Sequence, residues 1–124
     1  MANPNIVNVT SILGETTYLT PSATTSVILL PNASSSGKVY KINQIVAANV
    51  DGSSAVNTTV SITDQDAGAG TAYPIVSTVS VPADASLIVV DKTTAIYLME
   101  DSSIAVTSGT ASKITYSVSY EVIS

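Results

Sequence analysis

A chain of 124 residues is long enough for one domain with one hydrophobic core, and this sequence has no room for a second. Its formal charge is −5, and it contains no Arg, His, Cys, Trp or Phe, which excludes disulfides, zinc sites built from Cys or His, thiol nucleophiles and imidazole bases. Over a third of the residues are Val, Ile or Thr, whose branched side chains favour strands, so the composition predicts an all-β protein.

The N-terminal part of the chain has the weakest pattern. We interpret residues 1–22 as an N-terminal arm or a first edge strand, with a candidate strand at Ile6–Thr10, and residues 23–124 as a β-sandwich domain. The first ten residues hold no positive charge and no long apolar run, so we expect no secretory signal, and no apolar stretch is long enough to span a membrane. Ser26–Leu30 is the next candidate strand.

The longest candidate strand is Lys38–Val50. Alternate residues place an apolar set on one face, and Gln44 is the polar intruder, which predicts a β-bulge near Asn43. The predicted inward set is Tyr40, Ile42, Val46, Ala48 and Val50.

The C-terminal half contains the clearest strands. Val60 and Ile62 alternate with polar residues, whereas Ser86–Val90 and Ala95–Met99 are apolar on both faces, which predicts central positions in a covered sheet. Ser103–Thr107 and the last strand are predicted to form a hairpin, with the reversal at Gly109. In the last strand the predicted inward residues are Ile114, Tyr116, Val118, Tyr120 and Val122.

These segments recur every 8 to 12 residues or so, with turn residues between them and no helical periodicity. The prediction is a single antiparallel β-sandwich, a jelly-roll-like domain of eight or nine short strands.

Two loops resemble ligand-binding motifs. Ser34–Lys38 reads SSSGK, like the end of a phosphate-binding loop, but Asn32 and Val39 replace the first glycine and the magnesium-binding hydroxyl, so we interpret it as a hairpin loop. Asp64 and Asp66, with glycines at 68 and 70, could present oxygens to calcium. The same residues are common in ordinary turns, which we favour.

We predict no catalytic, cofactor-binding or metal-binding residues, and no enzymatic activity. The carboxylates lie in turns or on a polar strand face, and the serines have neither a histidine nor a GxSxG elbow to activate them, although a Ser–Lys dyad stays open. Four scattered lysines cannot neutralise a phosphate backbone, so we expect no nucleic-acid partner.

Other polar and aromatic features have ordinary explanations. Tyr40, Tyr116 and Tyr120 are in phase with core positions, which favours core packing over a sugar-stacking platform. The glycosylation sequons at Asn8 and Asn32, like the one at Asn57, are interpreted as products of an Asn/Ser/Thr-rich composition.

Several segments are similar to a family of small virion structural proteins of tailed bacteriophages that infect marine cyanobacteria and their relatives. These are MANPNIVNVTSI, SSSGKVYKINQIVAANVDGSSA, VPADASLIVVDKTTAIYLMEDSSIAVTSG and the terminal SYEVIS, which together span most of the chain. The resemblance implies a structural role as a many-copy particle component and carries no residue-level assignment.

The composition agrees with that role. Hydroxyl-rich strands with few lysines lack the usual defence against edge-to-edge pairing, which suits a chain that packs against neighbours. We therefore expect a non-enzymatic phage structural protein, a capsid decoration (cement) protein made in the host cytoplasm and located in the virion. Its expected partners are the major capsid protein or other virion proteins, and further copies of itself. The alternatives are a tail, collar or fibre-associated structural protein and a module that binds host polysaccharide.

Overall fold

The computed structural model describes residues 4–68 and 70–124, and within them it shows nine strands and one 3₁₀ turn. The strands are β1 (Ile12–Leu19), β2 (Val27–Asn32), β3 (Val39–Asn49), β4 (Val56–Thr63), β5 (Ala72–Val81), β6 (Ser86–Val90), β7 (Ile96–Leu98), β8 (Ser102–Ser108) and β9 (Ile114–Ile123). The 3₁₀ turn, Lys92–Thr94, lies between β6 and β7. The predicted all-β class is confirmed.

The strands form two antiparallel sheets that pack face to face. The five-stranded sheet has the order β1-β9-β3-β6, with β7 also paired to β3, and the four-stranded sheet has the order β2-β8-β4-β5. Within the described residues, consecutive strands change sheet at every step except β4 to β5 and β6 to β7. This winding is jelly-roll-like, and it confirms the predicted single sandwich.

The core lies between the sheets, and β9 shows why the sequence folds this way. Its five predicted inward residues, from Ile114 to Val122, are all buried, and the polar residues between them are partly exposed. The same period of two brings side chains from both sheets into one apolar cluster. The predicted face of the last strand is therefore confirmed.

The β-bulge near Asn43 is confirmed, and it changes the face of every residue after it. Asn43 and Gln44 together lie opposite Ser119, because the register with β9 shifts between Ile42 and Gln44. An extra residue reverses the alternation, so Ile45 and other odd-numbered positions are buried. The predicted inward positions of Val46, Ala48 and Val50 are wrong, and Val50 is exposed.

The predicted central positions of Ser86–Val90 and Ala95–Met99 are also wrong. They correspond to β6 and β7, which pair only with β3 within the described part of the chain and form one edge of the five-stranded sheet. Their second apolar face is exposed, with Ile88 at 60% and Tyr97 at 49%. The second apolar face of β6 and β7 therefore belongs to an exposed outer surface of the sheet and not to a covered one.

Two predicted hairpins are connections between sheets. β8 and β9 pair with different neighbours, and so do β2 and β3, which the loop at Ser34–Lys38 joins. Ser112, with a φ of 61°, lies in the left-handed region between β8 and β9. At Gly109 the backbone instead lies close to the backbone of Asn57. The Gly109 N–H donates to the Asn57 carbonyl at 2.8 Å, and a Cβ would lie 3.2 Å from that oxygen.

The N-terminal segment is an edge strand preceded by a turn. β1 pairs with β9 over its whole length, while residues 1–3 of the predicted arm lie outside the described residues. The predicted strand at Ile6–Thr10 is wrong, because the Asn5 side chain accepts from the Val7 N–H and the Asn5 carbonyl from the Asn8 N–H, which makes a turn. β1 lies within residues 1–22, which we interpret above as an N-terminal arm or a first edge strand, whereas no strand is predicted from the sequence at the position of β5.

Two buried asparagines hold loops to the ends of the sandwich. The Asn32 amide donates to the carbonyls of Lys38 and Leu98, both at 3.0 Å. The Asn49 amide donates to the carbonyls of Ser54 at 3.0 Å and Val81 at 2.9 Å, and also to that of Pro82. A sequon asparagine engaged in this way is inaccessible, so Asn32 is a structural residue.

Candidate functional site

The outer face of the five-stranded sheet, the side turned away from the other sheet, carries an exposed apolar row. The register places Tyr18 opposite Ser117, Ser117 opposite Val46, and Val46 opposite Ile88. This transverse row crosses the sheet from edge to edge, with small residues in the middle and large ones at both edges. Tyr18 is 76% exposed, which is unusual for a tyrosine on a regular strand.

A second apolar group lies on the same outer face, at one end of the sheet. We call it the apolar corner, and it consists of Pro4, Ile6, Val39, Tyr97 and Met99, which line one shallow depression of about 290 Å³. Val39 is buried but belongs to the outer face and not to the core between the sheets. Ile6, Tyr97 and Met99 remain about half exposed.

Between the apolar row and the apolar corner, the outer face is hydroxylic and electrically balanced. The hydroxyls of Thr16 and Ser119 lie 3.0 Å apart. Lys41 lies opposite Glu121 in the pairing of β3 with β9, so the charges on these two strands offset each other. This face offers apolar contact and short hydrogen bonds rather than a charged surface.

The bulge at Asn43 produces two shallow depressions on the outer face. Asn43 and Ser119 line both, and Asp91 and Lys92 complete one of them. The Asp91 carboxylate accepts from the Thr93 hydroxyl at 2.5 Å and from its N–H at 2.9 Å, and these bonds hold the pKa of Asp91 below its ordinary value. A carboxylate held ionised in this way caps the 3₁₀ turn and is poorly suited to act as a general base near neutral pH.

The same depression contains the two residue types of the Ser–Lys dyad that the sequence leaves open as a catalytic pair. Lys92 and Ser119 line the same depression, but the Ser119 hydroxyl is paired with Thr16, and Lys92 is solvent-exposed. A lysine that serves as a base is normally buried, so the arrangement does not favour nucleophilic catalysis.

The loop that contains Asp64 and Asp66, considered above as a calcium ligand set, folds over the outer face of the four-stranded sheet. Asp64 accepts from the Thr71 N–H at 2.8 Å, and Asp66 accepts from the Ser34 N–H at 3.2 Å. Each carboxylate therefore closes a backbone turn or joins two loops. Among the described residues, no cluster of three or more acidic side chains is placed to hold a metal ion.

The six tyrosines divide into two sets. Tyr40, Tyr116 and Tyr120 pack in the core as predicted, and the rings of Tyr40 and Tyr120 have centroids 5.2 Å apart. Burial raises the pKa of Tyr116, and burial together with nearby Tyr120 and Glu15 raises that of Tyr40. Tyr18, Tyr73 and Tyr97 are exposed.

The exposed tyrosines do not form one stacking platform. Tyr73 belongs to the other sheet, and Tyr18 and Tyr97 are separated by three strand spacings and about four residues along the strands, or roughly 19 Å.

Sequence reasoning missed the outer face as a site. The available signal was the pair of strands with apolar residues on both faces, which we assigned to the covered centre of a sheet. No protein-family model matches the chain, and a search of curated proteins gives no match. In the described part of the chain no helix combines the length and apolar character that crossing a bilayer would need.

Proposed function

We propose that this chain is a non-enzymatic structural protein of a bacteriophage particle, present in many copies as a capsid decoration protein. The observation that carries the proposal is the outer face of the five-stranded sheet, where the transverse row and the apolar corner leave large apolar side chains exposed. Clustered exposed apolar residues are typical of surfaces that bind another protein.

The polarity of the outer face supports attachment to a protein lattice. With Lys41 opposite Glu121 and hydroxyls elsewhere, docking would depend on apolar burial and short polar contacts. A partner such as the major capsid protein would meet a face on which residues of opposite charge, Lys41 and Glu121, lie on neighbouring strands.

The first experiment is to count the copies of this chain in purified virions by quantitative mass spectrometry. Hundreds of copies per particle are expected for a decoration protein. A few copies, or a few dozen, would replace the proposal with a tail, collar or fibre component, and absence from virions would contradict any structural role.

A matched pair of variants tests the face itself. Tyr97→Ser removes an aromatic ring from the apolar corner, and Tyr73→Ser removes a similarly exposed ring from the other sheet. Binding to particles that lack the chain should fall about tenfold or more for Tyr97→Ser, in line with the loss of a buried aromatic anchor, and stay unchanged for Tyr73→Ser. Equal binding by both variants would exclude the apolar corner as the contact.

A further inference from the structure

One edge strand of the sandwich, β1, has fewer protections against pairing than the other edges, because its only charged residue is Glu15. Among the other edges, β2 contains Pro31 and a break in register, β5 contains Pro74 and a residue in the left-handed region, Thr78, and β6 is only five residues long. β1 has eight residues, an unbroken register with β9, and neither proline nor lysine. Such an edge is a template for another strand.

The backbone groups that β1 leaves free can be identified from its pairing. Ser11 and Ser124 exchange N–H···O bonds of 3.1 and 3.0 Å, so Ser11 directs its backbone groups toward the end of β9. Antiparallel pairing alternates, so Gly14, Thr16 and Tyr18 direct theirs toward the free edge.

Gly14 has no structural requirement within its own chain. Its φ is not in the left-handed region, and a Cβ added there would meet nothing within 4 Å. Glycine in the interior of a strand is destabilising relative to alanine, because it loses more backbone freedom on folding. The open space beside Gly14 and the exposed ring of Tyr18, four residues away on the same face, therefore point to a contact outside the chain.

We propose that β1 pairs antiparallel with β1 of a second copy of this chain, centred on Thr16. This register places Tyr18 of each copy opposite Gly14 of the other, where an aromatic ring covers the glycine. On the opposite side of the strands it places Leu13, which is 57% exposed, opposite Leu19. The two five-stranded sheets then become continuous.

Pairing centred on Glu15, one residue away, is less favourable than pairing centred on Thr16. Pairing centred on Glu15 would set two carboxylates directly opposite each other, at the closer spacing of a non-hydrogen-bonded pair, which is destabilising. Centring on Thr16 moves these carboxylates to a diagonal position about 7–8 Å apart, where salt screens them.

Pairing over Gly14–Tyr18 would form about six backbone hydrogen bonds and bury less than roughly 1,000 Å², so the isolated dimer is weak. Many copies held on one particle would raise the local concentration and make the pairing effective. The role in the particle rests on the proposed function, while the pairing itself is a property of the isolated chain.

The absence of cysteine allows a clean cross-linking test. In the proposed register the two copies of Thr16 have Cα atoms about 5.5 Å apart, within disulfide range, whereas two copies of Gly14, or of Tyr18, are roughly 14 Å apart. Under mild oxidation Thr16→Cys should form dimers, and neither Gly14→Cys nor Tyr18→Cys should do so alone. A mixture of Gly14→Cys and Tyr18→Cys should cross-link.

Equal cross-linking at all three positions, or at Gly14→Cys alone, would overturn the proposal. A second measurement uses the native side chains: Thr16→Pro removes an N–H that points to the free edge, so the monomer should keep its melting temperature while association falls at least about tenfold. Native protein that sediments as a monomer at about 1 mM would also overturn the pairing. Virion copy number is measured separately, so either proposal can fail without the other.

Discussion

The phenol of Tyr116 joins the two sheets, and its removal should cost measurable stability. Tyr116 lies on β9, and its hydroxyl donates to the Thr107 carbonyl of β8 at 3.0 Å and is hydrogen-bonded to the Thr58 hydroxyl of β4. Tyr116 and Thr58 are almost completely buried. Tyr116→Phe keeps the ring in place and leaves the Thr58 hydroxyl without this partner.

The expected loss follows from the cost of leaving a buried polar group unpaired, which is about 1–3 kcal/mol. We expect Tyr116→Phe to lower the free energy of unfolding by about 2 kcal/mol, which for a domain of this size lowers the melting temperature by roughly 6–10 °C. Thr58→Val removes the other hydroxyl. Because replacing both partners removes the unpaired group, the double variant should lose less than the sum of the two single variants, by about 1 kcal/mol.

Urea unfolding followed by circular dichroism gives these free energies, and an unchanged denaturant slope shows that the folded and unfolded states are comparable. The control is Ser117→Asp, one residue along the same strand but on the outer face, which should change the free energy of unfolding by less than about 0.5 kcal/mol. A loss below about 0.5 kcal/mol for Tyr116→Phe, or an equal loss for the control, would refute the assigned faces of β9.

Asn49→Ala should destabilise the fold by about 2–3 kcal/mol, because the carbonyls that its amide joins lose a donor, whereas Asn57→Ala at an exposed position should be neutral in the same urea assay. The raised pKa values of Tyr40 and Tyr116 mean that the folded state favours the neutral phenols, so stability should be fully present below about pH 10 and be lost as pH rises through the raised values. Unfolding titrations that show no loss up to about pH 12 would contradict this. Purified virions washed at ionic strengths from about 0.05 to 1 M should retain the chain, because charges of opposite sign on its outer face, such as Lys41 and Glu121, offset each other. Release at modest salt would favour docking by charge.

The alternation of β9 could be predicted because its period of two residues is uninterrupted and one of its faces is buried. β3 shows the limit of the same rule. A bulge was predictable from Gln44, but its position decides the face of Ile45 and every later residue, and a displacement by one residue exchanges the two faces. The bulge near Asn43 was predicted at the right place, but one inward face was assigned on both sides of it, and the extra residue reverses that face for every residue after it.

The sequence predicted where strands lie better than it predicted which strands pair with each other. The loop at Ser34–Lys38 and the segment around Gly109 both look like hairpin turns, because the turn residues of a hairpin and of a connection between sheets are the same. Which one forms depends on which strands compete for each edge. In this fold β9 pairs with β1 and β3, far away in sequence, and not with β8.

The sequence by itself determined the class of structure. Its β-branched composition, its alternating strands and its turn residues specify an all-β sandwich, because these are local preferences that each segment expresses independently. Tertiary structure alone decided which apolar faces stay exposed. Ile88 and Tyr97 belong to segments that look like central strands, but β6 and β7 lie at the edge of their sheet, and the described residues leave both side chains about half exposed on its outer face. Edge position is a property of the whole arrangement, since it depends on how many other strands pair with β3 and on which side.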